Sequence, residues 1–181
     1  MAIMKGQLVA ATLIGFFLWI SPRISQAGVF RDDFEDGDMI GWRPNIAAGI
    51  SVVDGKMQFK GADPLIVKVG DLSWKEYSLE LRMKIVKFTN GGHFSIRILQ
   101  GKSGGLSGYY ELRLSEVATV AAVYVNNRCV ESFKVAAAVE ENVWHRVRIE
   151  PSDGKVSFYL DESLIAPLSD LGLSGYVDMC L

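Results

Sequence analysis

The sequence has few of the residues that mark disulfide-stapled domains, metal centres and linkers. Its 181 residues include two cysteines, two histidines and five prolines. No fixed-period repeat, proline- and serine-rich linker or block of like charge divides the chain, so its length predicts a single domain. The 18 glycines follow no triplet and no heptad persists, which excludes collagen-like and coiled-coil structure. The net charge of −2 argues against a nucleic-acid partner.

The hydrophobic content and the two cysteines narrow the class further. Residues of hydrophobic type make up 49% of the chain and no long polar tract interrupts them, so the bulk of the chain is not disordered. Cys129 and Cys180 have no spacing signature. They form a disulfide in an oxidising compartment or are two small buried hydrophobic residues, and the sequence leaves both possibilities open.

Residues 1–27 have the pattern of a secretory signal peptide. A lysine near the start is followed by an uncharged apolar run over residues 8–20. Ser25 and Ala27 then place small residues at positions −3 and −1 of a cleavage site. The alternative is a membrane anchor, but a spanning helix needs about 20 apolar residues. We therefore expect a mature domain of residues 28–181 that is secreted, periplasmic or on the cell surface, with no stable membrane insertion.

Apolar and polar residues alternate with period two after residue 28. The pattern is clearest in residues 77–85 and recurs in residues 94–98, 109–114 and 156–161. It is typical of half-buried antiparallel strands. Shorter runs predict further strands at residues 29–34, 50–53, 56–59, 65–69, 119–125, 129–135, 143–149 and 175–180.

Turn signals separate these runs. Five carry residues that tolerate positive φ: Asp54-Gly55, Asn90-Gly91-Gly92, Gly104-Gly105, Asn126-Asn127 and Asp153-Gly154. About a dozen short strands with regular turns predict a β-sandwich or barrel.

Four segments in a fixed order resemble a known family. They are FRDDFEDG at 30–37 followed by Trp42, VDGKM at 53–57, DLSWKEY at 71–77, and NVWHRVRI at 142–149 followed by GKVSFYLD at 154–161. This order is similar to that of the concanavalin A-like lectin/glucanase superfamily, above all to laminin-G-like and glucanase-like domains of exported bacterial proteins. The resemblance implies an all-β jelly-roll sandwich of two antiparallel sheets. It implies carbohydrate binding or adhesion more often than catalysis.

The carboxyl-terminal region departs from this resemblance. In such domains a run like residues 173–177 is usually followed by another strand, which returns beside the first, whereas here the chain stops at Leu181. We expect the sandwich to lack its last strand, leaving the edge around residues 29–34 partly unpaired. The alternative is that the resemblance is imperfect at this end.

Paired carboxylates come first among candidate catalytic groups, because the superfamily includes glycoside hydrolases. Retaining enzymes need two carboxyl groups about 5–5.5 Å apart. The segment ELRLSE at 111–116 is the nearest match to the glucanase pattern Glu-x-Asp-x-x-Glu, but Arg113 occupies the place of the middle acid. Glu80 and Arg82 depart from the pattern in the same way. No catalytic residue is therefore assigned.

The polar faces of the alternating strands are the candidate ligand site. If their strands are neighbours, they form one surface of charges and an aromatic ring. Arginine and glutamate side chains can hydrogen-bond sugar hydroxyls, and an aromatic ring can stack on a pyranose. The alternative is a solvated sheet face with cross-strand ion pairs. The candidate residues are Glu80, Arg82, Arg97, Tyr109, Glu111 and Arg113.

The acidic segment around residues 32–38 is a candidate calcium site, since calcium takes several oxygen ligands. Its candidate ligands are Asp32, Asp33 and Asp36. An EF-hand loop is excluded because Phe34 and Arg43 would stand at its third and twelfth positions. The resemblance implies a structural calcium near the first strand, and the alternative is an exposed acidic turn.

These observations together predict an exported, non-catalytic, lectin-like module whose partner is a glycan or polysaccharide. One alternative is a glycoside hydrolase-like enzyme with two carboxylates in a cleft. The other is a structural or adhesion module with a flat face of paired charges and no exposed aromatic ring.

Overall fold

A computed structural model describes most of the chain from Phe30 onward and two short segments before it. The described residues are 7–10, 13–15, 30, 32–45, 49–60, 65–74, 77–88, 92–103, 106–135 and 139–181. They contain β-strands and no α-helix, so this part of the chain has no helix long and apolar enough to cross a membrane.

Fifteen strands follow one another along the described chain. They are β1 Gln7–Ala10, β2 Leu13–Gly15, β3 Arg43–Pro44, β4 Ile50–Val52, β5 Met57–Phe59, β6 Ile66–Val69, β7 Leu79–Ile85, β8 Phe94–Ser103, β9 Leu106–Leu114, β10 Thr119–Val125, β11 Arg128–Val135, β12 Trp144–Ser152, β13 Lys155–Leu160, β14 Ser163–Ser169 and β15 Tyr176–Cys180.

The strands form a sandwich of two large sheets. The six-stranded sheet has the order β14-β13-β12-β7-β1-β2, and the seven-stranded sheet has the order β11-β10-β9-β8-β15-β6-β3. A short hairpin joins β4 to β5. Pairing is antiparallel except where β1 runs beside β7. The predicted all-β jelly-roll sandwich of antiparallel sheets is confirmed.

The core lies between the sheets and contains the apolar half of each alternating strand. From the six-stranded sheet it takes Leu79, Leu81 and Met83, all fully buried. From the seven-stranded sheet it takes residues such as Ile96 and Leu112. Burial of these side chains is the main favourable term in the stability of the sandwich. The alternation therefore leaves the polar half of each strand on the outer faces.

Tight hairpins stand where Asp-Gly and Asn-Asn pairs predict them. Asp54, Asn126 and Asp153 each have φ near +50°, a conformation that these residues tolerate. A further turn of the same kind at Asp161 and Glu162 leads into β14, which the sequence pattern did not predict. The turns predicted at 90–92 and 104–105 fall mainly outside the described residues.

The strand predicted at residues 29–34 is wrong for the residues that the structure describes. Phe30 and residues 32–34 are not in a strand. Phe34 is buried with a φ of 56°, and its N–H is donated to Oδ1 of Asp32 at 2.8 Å. This aspartate turn interrupts the extended run, because the φ of Phe34 lies outside the β region.

The predicted signal peptide, residues 1–27, lies mostly outside the described residues. Within it, β1 and β2 pair as a hairpin, and Val9 and Ala10 lie beside Lys84 and Ile85 of β7. Cleavage after Ala27 stays a prediction.

A bulge in β8 fixes how this strand meets β15. Leu99 has a φ of 53°, and its N–H is donated to the hydroxyl of Tyr77 at 2.7 Å. The same buried hydroxyl donates to the carbonyl of Tyr176 at 3.1 Å. Gly175 has a φ of 134°, and a Cβ there would lie 2.1 Å from the carbonyl oxygen of Gln100, so only glycine fits this crossing. Tyr77 thus joins β8, the central strand of the seven-stranded sheet, to its neighbour β15.

Candidate functional site

The outer face of the seven-stranded sheet carries a row of charged side chains across five adjacent strands. Arg43 stands opposite Lys68, Lys68 opposite Asp178, Asp178 opposite Arg97, and Arg97 opposite Glu111. These five residues are called the charge row below. Residues directly opposite on one face are close enough to interact. The row runs through the middle of the sheet.

Ion pairs hold both acids of the charge row. The Nε–H of Arg97 is donated to Oε1 of Glu111 at 3.0 Å, and Nη2 of Arg113 donates to Oε2 at 2.8 Å. Lys68 Nζ lies 3.2 Å from Oδ2 of Asp178. Each carboxylate side chain is only 2% exposed. Burial raises the pKa of Asp178, and the Lys68 ammonium opposes that rise. A carboxylate this deeply buried needs such partners.

Three tyrosines lie along one side of the charge row. Tyr109 and Tyr124 stand opposite each other with stacked rings, 4.9 Å between centroids. The guanidinium of Arg97 lies 4.9 Å from the Tyr109 ring centroid. Tyr176 lies under the Arg43 guanidinium, at 4.8 Å from its centroid. All three rings are half-buried and hence partly accessible. We call Tyr109, Tyr124 and Tyr176 the tyrosine row.

Buried polar atoms without a hydrogen-bond partner concentrate at this face. They are Oγ of Ser95, Oε1 of Gln100, Nε of Arg113 and Oδ1 of Asp178. Ser95 stands opposite Arg113, and Gln100 stands opposite Tyr176. A buried polar atom that forms no hydrogen bond lowers the free energy of unfolding by about 1–3 kcal/mol. Native proteins therefore contain few such atoms. Within the described part of the chain, Gln58 Oε1 on β5 is the one other case. Four of the five such atoms in the described chain therefore lie on one face.

Comparison with known proteins finds similarity in fold. No protein-family model matches the sequence, and no curated protein matches it. The β-glucanase of Bacillus licheniformis matches with a TM-score of 0.63 at 13% identity, over 86% of this chain and 85% of that chain. A glycoside hydrolase family 16 endo-glucanase from Bacteroides ovatus matches with a TM-score of 0.62 at 15% identity, over 83% and 84%. The chain has the concanavalin A-like lectin/glucanase fold.

A binding module matches this concanavalin A-like fold as well. The carbohydrate binding module CBM66 from Bacillus subtilis gives a TM-score of 0.58 at 12% identity, over 77% of this chain and 86% of that chain. Enzymes and a binding module therefore share the architecture, and the fold alone does not separate them.

Four of the six predicted ligand residues lie together on this face of the concanavalin A-like sandwich. They are Arg97, Tyr109, Glu111 and Arg113.

The other two predicted ligand residues do not join them. Glu80 lies on β7 in the six-stranded sheet, where it pairs with Arg146 at 2.7 Å. Arg82 lies on the same strand, with its guanidinium 5.9 Å from the Trp144 ring centroid. The expectation of one surface for all six is wrong because β7 and β8 belong to different sheets. The same alternation then points their polar residues to opposite sides of the sandwich.

The sequence pattern missed Lys68, Asp178 and Ser95 as members of the site. Asp178 is the one acid in a short apolar strand, and this was the signal available. Its neighbours are far away in the sequence, since β15 lies between β6 and β8. Alternation gives the face of a residue but not its partners.

The predicted calcium ligands have other contacts in the structure. Oδ1 of Asp32 accepts the Phe34 N–H, and its Oδ2 accepts the Trp42 indole N–H at 2.6 Å. Asp33 and Asp36 each accept an N–H from two residues ahead. Burial raises the pKa of Asp32. No three His, Cys, Asp or Glu side chains in the described ranges are arranged to hold a metal ion. A structural calcium at these aspartates stays a prediction.

The two cysteines are free and unlike each other. Cys129 is exposed on β11, whereas Cys180 is partly buried on β15. Four strand spacings separate them, about 19 Å, far beyond the reach of a disulfide. Burial raises the pKa of the Cys180 thiol to about 11. The disulfide is therefore not formed, and the alternative of two buried residues is wrong for Cys129.

Proposed function

We propose that the chain is an exported, non-catalytic carbohydrate-binding module whose glycan lies on the outer face of the seven-stranded sheet. The observation that supports this most directly is the tyrosine row beside the charge row. An aromatic ring can stack on the apolar face of a pyranose, while guanidinium and carboxylate groups hydrogen-bond its hydroxyls. Half-exposed tyrosines also argue against a purely structural face of paired charges.

Two further observations support the proposal. Proteins of similar fold include two glucanases and a carbohydrate binding module, which favours a carbohydrate ligand. The pattern of residues 1–27 favours export, which would bring the domain to extracellular or cell-surface glycans.

Glycoside hydrolysis is the second candidate, and one observation favours it. Glu111 and Asp178 lie on β9 and β15 with only β8 between them. Two strand spacings are about 9.6 Å, close to the carboxyl separation of inverting enzymes. However, each oxygen of Glu111 already accepts a guanidinium N–H, and Arg97 stands between the two acids. We therefore favour binding.

A glycan-array screen of the purified protein, with and without calcium, tests the proposal. We expect Tyr109→Ala to weaken binding about tenfold, because an aromatic ring covered by a ligand contributes ~1–2 kcal/mol. The matched control is Tyr159→Ala on the six-stranded sheet, whose ring packs 3.8 Å from the Arg148 guanidinium. Loss of binding on chelation would support the predicted calcium.

Three outcomes would contradict the proposal. A folded protein that binds no glycan would favour a structural or adhesion role. Equal effects of Tyr109→Ala and Tyr159→Ala would place the ligand elsewhere. Release of reducing ends from a bound glucan, abolished by Asp178→Asn, would replace binding by hydrolysis.

A further inference from the structure

We propose that the glycan bound by this face is anionic, a pyranose whose carboxylate or sulfate group is bound by Arg97 and Arg113. This inference rests on the proposed function and names the chemical class of its ligand. Three features carry it: the charge balance of the face, the unused donors of the two arginines, and the place of the unpartnered acceptors.

The charge balance of the face is opposite in sign to that of the chain. Four cations project from the described side chains of β3, β6, β8 and β9, and two acids from β9 and β15, a balance of 4 − 2 = +2. The whole chain carries −2. A local positive surface on an acidic protein favours anions at this place. The cations are Arg43, Lys68, Arg97 and Arg113.

Both arginines keep N–H donors that are not bonded to any residue the structure describes. A guanidinium has five N–H donors in a planar fork. Arg97 is bonded to Glu111 through Nε, and Arg113 through Nη2. Among the described residues, the buried Nε of Arg113 has no hydrogen-bond partner, and neither has the hydroxyl of Ser95 opposite it. A carboxylate or sulfate is the acceptor that best matches such a fork.

The other acceptors on this face without a hydrogen-bond partner among the described residues belong to Asp178 on β15, which stands opposite Arg97, and to Gln100 on β8, which stands opposite Tyr176. Oδ1 of Asp178 and Oε1 of Gln100 can accept sugar hydroxyl protons. Asp178 stands opposite Arg97 and lies diagonally from Arg113, at more than two strand spacings (~9.6 Å), and Lys68 balances its charge. An anion at the arginines would therefore not face a bare carboxylate. The face thus has a donor side for an anionic group and an acceptor side for hydroxyls.

Binding to polymers that differ only in charge tests this inference on the full protein. The carboxylate arm compares polygalacturonate with its fully methyl-esterified form, and the sulfate arm compares dextran sulfate with dextran. At about 0.15 M salt, where long-range attraction is largely screened, we expect one anionic polymer to bind at least ~10-fold more tightly than its neutral partner.

Variants of the arginines test whether the preference for anionic polymers depends on this face. Arg113→Gln should remove most of it, and Arg113→Lys, which keeps the charge beside Glu111 but loses the fork, should remove part of it. Arg146→Gln, on the six-stranded sheet and 46% exposed, is the control and should leave the preference unchanged. Circular dichroism verifies that each variant is folded.

The outcomes separate this inference from the proposed function. Equal or tighter binding of the neutral polymers overturns the anionic ligand but leaves carbohydrate binding intact. No binding to any polymer or array glycan overturns both. An anionic preference that Arg146→Gln lowers as much as Arg113→Gln overturns the assignment to this face.

Discussion

Glu111 bridges two arginines on neighbouring strands while its side chain is 2% exposed, so Glu111→Gln tests how much the charge row stabilises the sheet. The amide keeps one acceptor oxygen and turns a donor toward the second guanidinium. One charge-assisted hydrogen bond is lost, which is worth about 1.5–3 kcal/mol. Because Arg97 and Arg113 are 25% and 39% exposed, solvent screens part of this loss. We expect the free energy of unfolding to fall by about 2 kcal/mol.

Glu162 provides a matched control for this substitution. It also bridges two arginines, Arg146 and Arg148, but on the other sheet and with 58% of its side chain exposed. Glu162→Gln should therefore lower the free energy of unfolding by less than about 0.5 kcal/mol.

Urea unfolding followed by tryptophan fluorescence measures both free energies, and thermal unfolding gives a second readout. A loss of about 2 kcal/mol corresponds to a fall in Tm of roughly 4–8 °C for a chain of this length. If the two glutamine variants lose the same stability, burial does not determine the strength of the Glu111 bridges. If Glu111→Gln is neutral, the bridges of Glu111 to the two arginines contribute nothing to folding.

Three further results are expected. Tyr77→Phe should lower the free energy of unfolding in urea by about 2 kcal/mol, because the buried N–H of Leu99 loses its acceptor; an unchanged value would contradict that role. Burial raises the pKa of Asp178 above its ordinary 3.8, so the folded chain binds more protons there and loses stability as pH rises through and above 3.8. The unfolding free energy of Asp178→Asn should therefore rise relative to that of the unsubstituted protein as the pH increases above 3.8, and parallel pH profiles would refute the raised pKa. An aromatic disulfide reagent at about pH 8 should modify the exposed Cys129 thiol at least ~10-fold faster than the Cys180 thiol, whose pKa is about 11. Cys129→Ser should leave only the slow phase, and a single rate would contradict this.

Local pattern predicted most of the sandwich. Alternation in residues 77–85 identifies β7, and Asp54-Gly55 and Asp153-Gly154 identify two hairpins, because the period of a strand and the φ of a turn are properties of adjacent residues. The strand β14 was not predicted, since Pro167 interrupts its apolar pattern and the turn before it lacks glycine.

The candidate site could be predicted only in part. Arg97, Glu111 and Arg113 meet through a hairpin, β8 to β9, so their proximity follows from local sequence. Lys68 and Asp178 meet only after distant segments pair. Strand order across a sheet depends on packing of the whole chain, and a single sequence does not contain it.

The position of β15 between β6 and β8 means that the seven-stranded sheet cannot be completed before the last described strand is present. Residues 176–180 are the last described strand, yet they lie between β6 and β8, which were synthesised far earlier. Until they arrive, the facing edges of β6 and β8 have no partner and Asp178 is missing from the charge row. The seven-stranded sheet therefore closes only after residue 180 has left the ribosome, and such non-local pairing is intrinsically slow.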